Sequence, residues 1–505
     1  MNKQIDIKYH KWNKKDYKKL VQSLSKLINL KNIQFYMPFF SLFYYIHNTP
    51  LSHKIIDLER KYYLLNLNEI IKERYYNSNL IVKGHIYDSY KNIKEEKEIF
   101  CKTISILDPI HCINNNYNLV NKNNYHLPSC YNHNTFNKIN NIDNSAYIDT
   151  FCSYLFSQLT MNKVLPSFPV YYGSVNGIGE YRYDMTEEYD DFKMDKCFNK
   201  NLGKSFKLDI YLSDTESETE DSENENSEIE ESETESETGG SDKEVSDSEV
   251  SDKEVSDSEE SDSYYQEDYV AKLKNVPIQL LFIEKLEATL EDYLLSEDFN
   301  EETLLSCLFQ ISFSLQYLQK NYQFTHNDLH INNIMYSSTE TKYLYYKFNN
   351  KYFRIPTYGK IFKIIDFGRA IITYKNKTYM NDVFSRYGEA GGQYYYPSSI
   401  NFYLENNNEK IKPNYNFDLC RLSMTIIEEL DLDKVSENTK NFIYKMCEDR
   451  YKNNFCEMED NFNLYISIAK DAVNSLPLNV ITHKIYKKFI VKKKNFPLKS
   501  YYSMN

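Results

Sequence analysis

The sequence predicts an α+β protein of two lobes. Strand-like runs precede long amphipathic helices, a strongly acidic tract interrupts the chain before the main helical part, and 41% of the 505 residues are hydrophobic, ample for a buried core. In chain order, Ile99-Phe100-Cys101-Lys102-Thr103-Ile104 alternates as a strand does, and Asn144 stands where it can cap a helix carrying Asp149. Val276 to Glu284 reads as a buried strand. Asn300 then caps a helix opened by Glu301 and Glu302, whose apolar stripe is Leu304, Leu308, Ile311, Leu315 and Leu318. About twenty helical residues span roughly 30 Å, the width of a small lobe. Lys360 to Ile365 is a further short strand, and Phe417 to Leu430 a helix with Leu419, Leu422, Ile426 and Leu430 on one face.

Charge divides the chain. Residues 213–268 hold 25 acidic residues and two lysines, a local −23; the whole chain is −13, so the remainder is +10. The tract includes a ten-residue repeat from Ser241 to Glu260 and almost no apolar side chains, so it is expected to stay disordered as an insert in a surface loop. Its Ser and Thr residues, often followed by acids, suit acidophilic kinases, and the tract could hold basic partners. A solvated spacer is the plainer reading. From Ile481 to Asn505 seven lysines occur without an acid, interleaved with Tyr486, Phe489 and Phe496. This basic tail is the one place where nucleic acid or an anionic membrane is an expected partner, and it could equally dock the chain's own acidic insert.

The nine cysteines are scattered and form no C-x-x-C pair, which argues for reduced thiols and against a disulfide scaffold or structural zinc. No run of 18 apolar residues occurs, so no membrane span is expected. The aromatic stretch Phe35–Tyr45, broken by Pro38 and Ser41, reads as core. The residues from Met1 to Lys15 lack the apolar run of a signal peptide, so a soluble intracellular protein is expected.

Chemistry concentrates after the long helix. Thr325-His326-Asn327-Asp328-Leu329-His330 leads to Asn333, and 33 residues further a buried strand ends in Asp366-Phe367-Gly368. Phosphoryl transfer needs one carboxylate to orient and deprotonate the acceptor hydroxyl, and separate oxygen ligands for Mg²⁺ ions bridging the phosphates. Asp328 and Asn333 share one tight loop, and Asp366 at a strand end can approach from the neighbouring hairpin.

At these residues the sequence resembles the protein kinase superfamily, and more closely the serine/threonine-protein kinases encoded by giant DNA viruses, a divergent haspin-like branch. Pro356 to Ala370, Tyr183 to Tyr189 and Asn416 to Leu422 match most closely. The resemblance implies a bilobal kinase-like fold, with a small, mostly antiparallel-sheet N-lobe at 80–286, interrupted by the disordered acidic insert, and a larger helical C-lobe at 287–505 with the basic tail. Residues 1–79 are expected to pack on the small lobe as an N-terminal extension. The resemblance also implies ATP and Mg²⁺ as cofactors, a protein substrate, and a host-cytoplasm or virion setting if the chain is viral. Carried over residue by residue, Asp328 is the catalytic base, Asn333 and Asp366 hold the metals, and Asp418 braces the catalytic loop. Lys102 serves the α- and β-phosphates, with Asp149 at the place of its acidic partner. Phe168 to Gly173 resembles the strand after that helix. Glu284 and Leu286 lie in the hinge whose backbone meets adenine.

Several positions depart from the family pattern. No G-x-G-x-x-G precedes Lys102, leaving only Gly84 for a phosphate loop, while Gly173, Gly177 and Gly179 read as a hairpin. Asn327 stands where Arg is usual, which implies activity without activation-segment phosphorylation, and His330 stands where many protein kinases carry Lys. No Ala-Pro-Glu follows Asp366-Phe367-Gly368. Between Asn333 and Asp366 an extra hairpin, Tyr343 to Phe353, turns at Asn349-Asn350. Two other functions fit part of the pattern: a small-molecule kinase of the aminoglycoside or choline phosphotransferase type, and a pseudokinase scaffold whose acidic insert binds basic partners.

Overall fold

The alternating apolar runs of the first half pair into an antiparallel sheet, and one hydrophobic core runs from beneath it into the helices that follow. The computed structural model describes residues 4–42, 53–119, 126–129, 136–214, 265–384, 388–394, 413–459 and 461–504. The expected disordered insert, residues 215–264 of it at least, lies outside the described residues, as does Cys130. The flanks of the acidic tract do belong to strands, so the folded part extends to Asp214 and resumes at Tyr265.

The N-terminal segment supplies β1 (Tyr9–Lys11), a helix Lys14–Leu27 capped by Asn13, β2 (Lys31–Gln34) and β3 (Ile56–Leu58), with β1 antiparallel to β3. Next come β4 (Tyr62–Glu73), β5 (Leu80–Asp88), β6 (Ile93–Ser105), the helix Ser145–Met161, β7 (Tyr171–Asp184), β8 (Phe206–Asp214) and β9 (Tyr265–Glu284). The sheet order is β2-β7-β9-β6-β5-β4, with β8 also paired to β9. Because β4 is a full sheet strand, the small lobe begins before residue 80. Residues 4–7 also depart from the expected extension: they lie against the large lobe, where Tyr322 Oη accepts from Ile5 N at 3.1 Å and Tyr374 Oη donates to Ile5 O at 2.8 Å. The N-terminal segment thus bridges both lobes.

Gly177 and Gly179 do not turn a hairpin; they sit within the single strand β7. A side chain at Gly177 would come within 2.5 Å of Leu30, and one at Gly179 within 2.6 Å of Ile278, so close packing explains these glycines. Phe35, Tyr36, Phe39 and Phe40 are buried, as a core reading of that stretch requires. Among the described residues no helix is long and apolar enough to cross a membrane, and the eight described cysteines are unpaired thiols.

The second half adds β10 (Ala288–Thr289), the helix Glu301–Tyr322, β11 (Ile334–Ser338), β12 (Tyr343–Phe348), β13 (Lys351–Pro356) and β14 (Lys360–Ile364). They are followed by the pair β15 (Ile371–Tyr374) and β16 (Lys377–Met380), the helix Phe417–Glu429, and β17 (Tyr502–Ser503). Asn300 caps the long helix by accepting from Glu302 N at 2.8 Å, and Gln323 ends it in the left-handed region. Its stripe Leu304, Leu308, Ile311, Leu315 and Leu318 is wholly buried. The hairpin β12–β13 turns at Asn349 and Asn350, both at positive φ, as a two-residue turn between twisted strands requires. The architecture is α+β: an antiparallel-sheet lobe and a larger helical lobe.

A buried ion pair fixes the N-terminal segment to the sheet. Arg60 Nη1 lies 2.9 Å from Asp57, donates to Leu58 O, and packs over the rings of Tyr63 and Tyr171, while Trp12 Nε1 donates to the same Asp57 carboxylate. Removing one partner leaves an uncompensated buried charge. Asp57→Ala should therefore cost about 3–5 kcal/mol, seen as a lower urea midpoint; an unchanged midpoint would exclude a stabilising role for the pair.

Candidate active site

Alternation along β6 turns Lys102 toward the cleft between the lobes. Its Nζ lies 2.7 Å from Asp149 Oδ2 and 2.8 Å from Asp366 Oδ2. Asp149 has a shorter side chain than Glu, yet it reaches because its helix is held tightly to the sheet: neighbouring Thr150 Oγ1 donates to Gln279 of β9 at 2.6 Å, and Gln279 to Asn176 at 3.0 Å. Asp149 Oδ1 also accepts from Phe367 N at 3.1 Å, so one carboxylate ties the Lys102 strand to the segment that follows β14.

Asp366 has φ +59°, a conformation an Asp tolerates better than most residues. Phe367 pins it by packing among Phe156, Phe168, Phe324 and His326. Burial would raise the Asp366 carboxyl, but the Lys102 cation holds it at about 2. Lys102 is itself raised: burial disfavours its charge, and Asp149 and Asp366 outweigh that.

The catalytic-loop candidates lie beside this group, because Ile365 N donates to Asn333 O at 3.0 Å. Asn333 Nδ2 lies 2.8 Å from Asp328 O and 2.9 Å from His330 Nε2, which uses both amide protons and leaves Oδ1 as the remaining acceptor end. Burial pushes His330 below its ordinary value, so a neutral ring stands where a fixed cation is common. Buried Asp418, on the helix Phe417–Glu429, accepts from His326 N at 3.0 Å and Asn327 N at 2.9 Å. Asn327, at φ +65°, donates to Arg369 O at 2.9 Å and accepts from Tyr394 Oη, so neutral hydrogen bonds hold the following segment.

Glu284 ends β9 at the junction of the lobes, and Leu286 lies two residues beyond it. The Glu284 carboxylate is engaged by Lys363 at 2.6 Å and by Val170 N at 3.0 Å, and its backbone N–H donates to Val170 O at 2.8 Å, so only its carbonyl is left to face a ligand. The cleft is lined by Asn79, Phe100, Lys102, Leu281, Ile283 and Asp366, among others. Gly84 is not in a phosphate loop. It sits mid-strand in β5 opposite Lys97, where a Cβ would come within 2.7 Å of Asn66 O. The turn at the cleft is Arg74–Asn79, with no glycine. It is stitched to β6, since Thr103 N donates to Asn79 Oδ1 at 3.0 Å, and to β7, since Arg182 N donates to Ser78 Oγ at 2.7 Å and Arg182 Nη1 to Arg74 O at 2.9 Å. Counting back along the strands from Lys102 would have located this turn. Arg369 gives less sequence signal: burial lowers it, but Asp328 and Glu389 raise it overall, and it bonds Glu389 at 2.7 Å.

The fold and the arrangement of the site are similar to those of protein kinases, a divergent kinase-like relationship. The relatives found agree: the chain is 32% identical to a "Serine/threonine-protein kinase haspin homolog" of Drosophila melanogaster over 159 residues, 30% of this chain and 27% of that one. It is 40% identical to a "Putative serine/threonine-protein kinase" of Acanthamoeba polyphaga mimivirus over 86 residues, 16% of this chain and 22% of that one. The chain thus spans about a quarter of the length of the curated relatives it matches. A solved ROP18 kinase domain in complex with AMP-PNP and sucrose aligns over 85% of this chain and 83% of that one, at 9% identity and a TM-score of 0.30. No family model matches the sequence.

Two outcomes test this geometry. Asp418→Ala leaves two buried amides without their acceptor and should cost about 1–3 kcal/mol for each, read as a lower melting temperature with faster exchange at the His326 and Asn327 amides. Asp366 is depressed in the folded state, so the unfolded chain binds more protons and the pair's stabilisation falls as pH drops from its ordinary 3.8 toward 2. The melting-temperature gap between wild type and Asp366→Asn should persist at neutral pH and narrow across that window. A gap that widens on acidification would contradict the assigned ion pair.

Proposed function

We propose that the protein transfers the γ-phosphoryl group of ATP to serine or threonine hydroxyls of a protein substrate. The observation that carries this reading is the convergence of Lys102, Asp149 and Asp366 beside the Asp328–Asn333 loop. In this reading Lys102 steadies the α- and β-phosphates, and the Leu286 and Glu284 backbone meets the adenine. Asp328 takes the proton of the acceptor hydroxyl as its oxygen bonds to phosphorus and the bond to the ADP oxygen breaks.

The donor set fits Mg²⁺, a hard cation that is usually held by one or two protein oxygens together with substrate phosphates. The oxygens on offer are the Asp366 carboxylate and Asn333 Oδ1, whose orientation is set by the two hydrogen bonds of Nδ2. Bound there, the ion would neutralise phosphate charge.

The neutral ties of Asn327 to Arg369 O and Tyr394 support activity without activation-segment phosphorylation. Labelled ATP offered to a casein-like protein should yield phosphoprotein with wild type and none with Asp366→Ala. Equal signals would leave a non-catalytic scaffold, and transfer only to small aminoalcohols would reassign the acceptor. Asp328→Asn should cut turnover about 10²–10⁴-fold with nucleotide affinity nearly intact, the reverse pattern being incompatible with its role. Phosphatase treatment should leave turnover unchanged, and its abolition would refute the phosphorylation-independent state.

A further inference from the structure

We propose that the hairpin β12–β13 and the C-terminal residues 484–504 form one platform for single-stranded nucleic acid. The two segments are distant in sequence but fold as a unit. β17 adds to β12 as a parallel strand with Tyr346 opposite Tyr502, Ile490 bridges to Phe353, and Val491 N donates to Tyr352 O at 2.8 Å.

Strand alternation gives this unit two unlike faces. Leu344, Tyr346, Phe353 and Ile355 are buried against the long helix, with the Tyr346 ring 4.6 Å from Phe313. The opposite face carries rings the core does not use. Phe496 packs on Tyr345, Tyr352 and Tyr501 at centroid distances of 5.7, 4.9 and 5.2 Å, and each of these four rings is only half-buried.

Cations flank the rings: Lys347 and Arg354 on that face of the hairpin, Lys351 at its turn end, and Lys492–Lys494 and Lys499 on the C-terminal segment. Among the described residues none of these seven pairs with a carboxylate, and neither 341–365 nor 472–505 contains an acid. Half-exposed rings set among unpaired cations match a ligand with π-faces and a regularly charged backbone: bases stack on the rings and phosphates meet the lysines. A bilayer would call instead for aliphatic side chains to enter it. The patch offers two, Leu498 at 96% and Ile490 at 40% exposed, against four rings and seven cations. Nothing in this inference depends on phosphoryl transfer, so the two proposals stand or fall separately.

The test is fluorescence anisotropy of the full chain with a labelled oligothymidylate of about 16 nucleotides, one site's length. Binding should weaken with salt at a log–log slope of about 4, the value for roughly six phosphate contacts on a single strand. Reversing Lys492, Lys493 and Lys494 to Glu, all exposed positions, should lower that slope by about 2 and weaken binding more than about tenfold. Phe496→Ser should weaken it about tenfold at unchanged slope. Absence of salt-dependent binding by the wild type overturns the proposal, as does a charge-reversed protein that binds like wild type. Tight binding to phosphatidylserine vesicles that is lost in Leu498→Ser, with no oligonucleotide bound, would overturn it in favour of a membrane surface.

Discussion

The site depends on one cation held between two carboxylates. Lys102 comes from the sheet, Asp149 from the helix above it, and Asp366 from the end of a strand in the other lobe. Burying the Asp149 carboxylate is unfavourable alone, and the Lys102 cation at 2.7 Å makes it tenable, while Asp366, partly exposed, closes on the same cation at 2.8 Å. Asp149 also takes the Phe367 amide, so the strand, the helix and the metal-ligand candidate share one set of contacts. Losing Lys102 would leave the buried Asp149 carboxylate without its cation.

Around this centre the chain uses neutral contacts where related proteins often use charged ones. Asn327 and Tyr394 fix the segment after Gly368 by hydrogen bonds, and His330 contributes a neutral nitrogen to Asn333. Buried Asp418 supplies the exception, a carboxylate receiving the two amides that shape the loop. The turn Arg74–Asn79 likewise draws its order from its own Asn79 and Ser78 side chains, which accept from backbone amides of β6 and β7, and from the Arg182 guanidinium on Arg74 O. These contacts give a loop whose position is set by its neighbours, and they explain how a turn without glycine retains a defined path.

The additions to the fold are also structural. Residues 4–7 reach the large lobe through Tyr322 and Tyr374, and the C-terminal strand completes a small sheet on the hairpin between β11 and β14. Both connect chain ends to interior elements at large sequence separation, where no periodicity announces a partner.

What could be read from the residues was local. The capped helix from Glu301, the strand ending at Ile364, the Asn349-Asn350 turn and the spacing of Asp328, Asn333 and Asp366 follow from periodicity, capping and motif order, each set by near neighbours along the chain. What could not be read was pairing at a distance. Gly84 looked like a phosphate turn because its sequence setting is compatible with one, yet strand register puts it mid-sheet and gives the turn to Arg74–Asn79. Gly177 and Gly179 looked like a hairpin, and only the packing of Leu30 and Ile278 explains them. Asp149 reaches Lys102 because helix and sheet are joined through Thr150 and Gln279. Sequence fixes conformational preference within a few residues, whereas register and side-chain reach depend on which distant surfaces exclude water together, and that was decided by the tertiary structure.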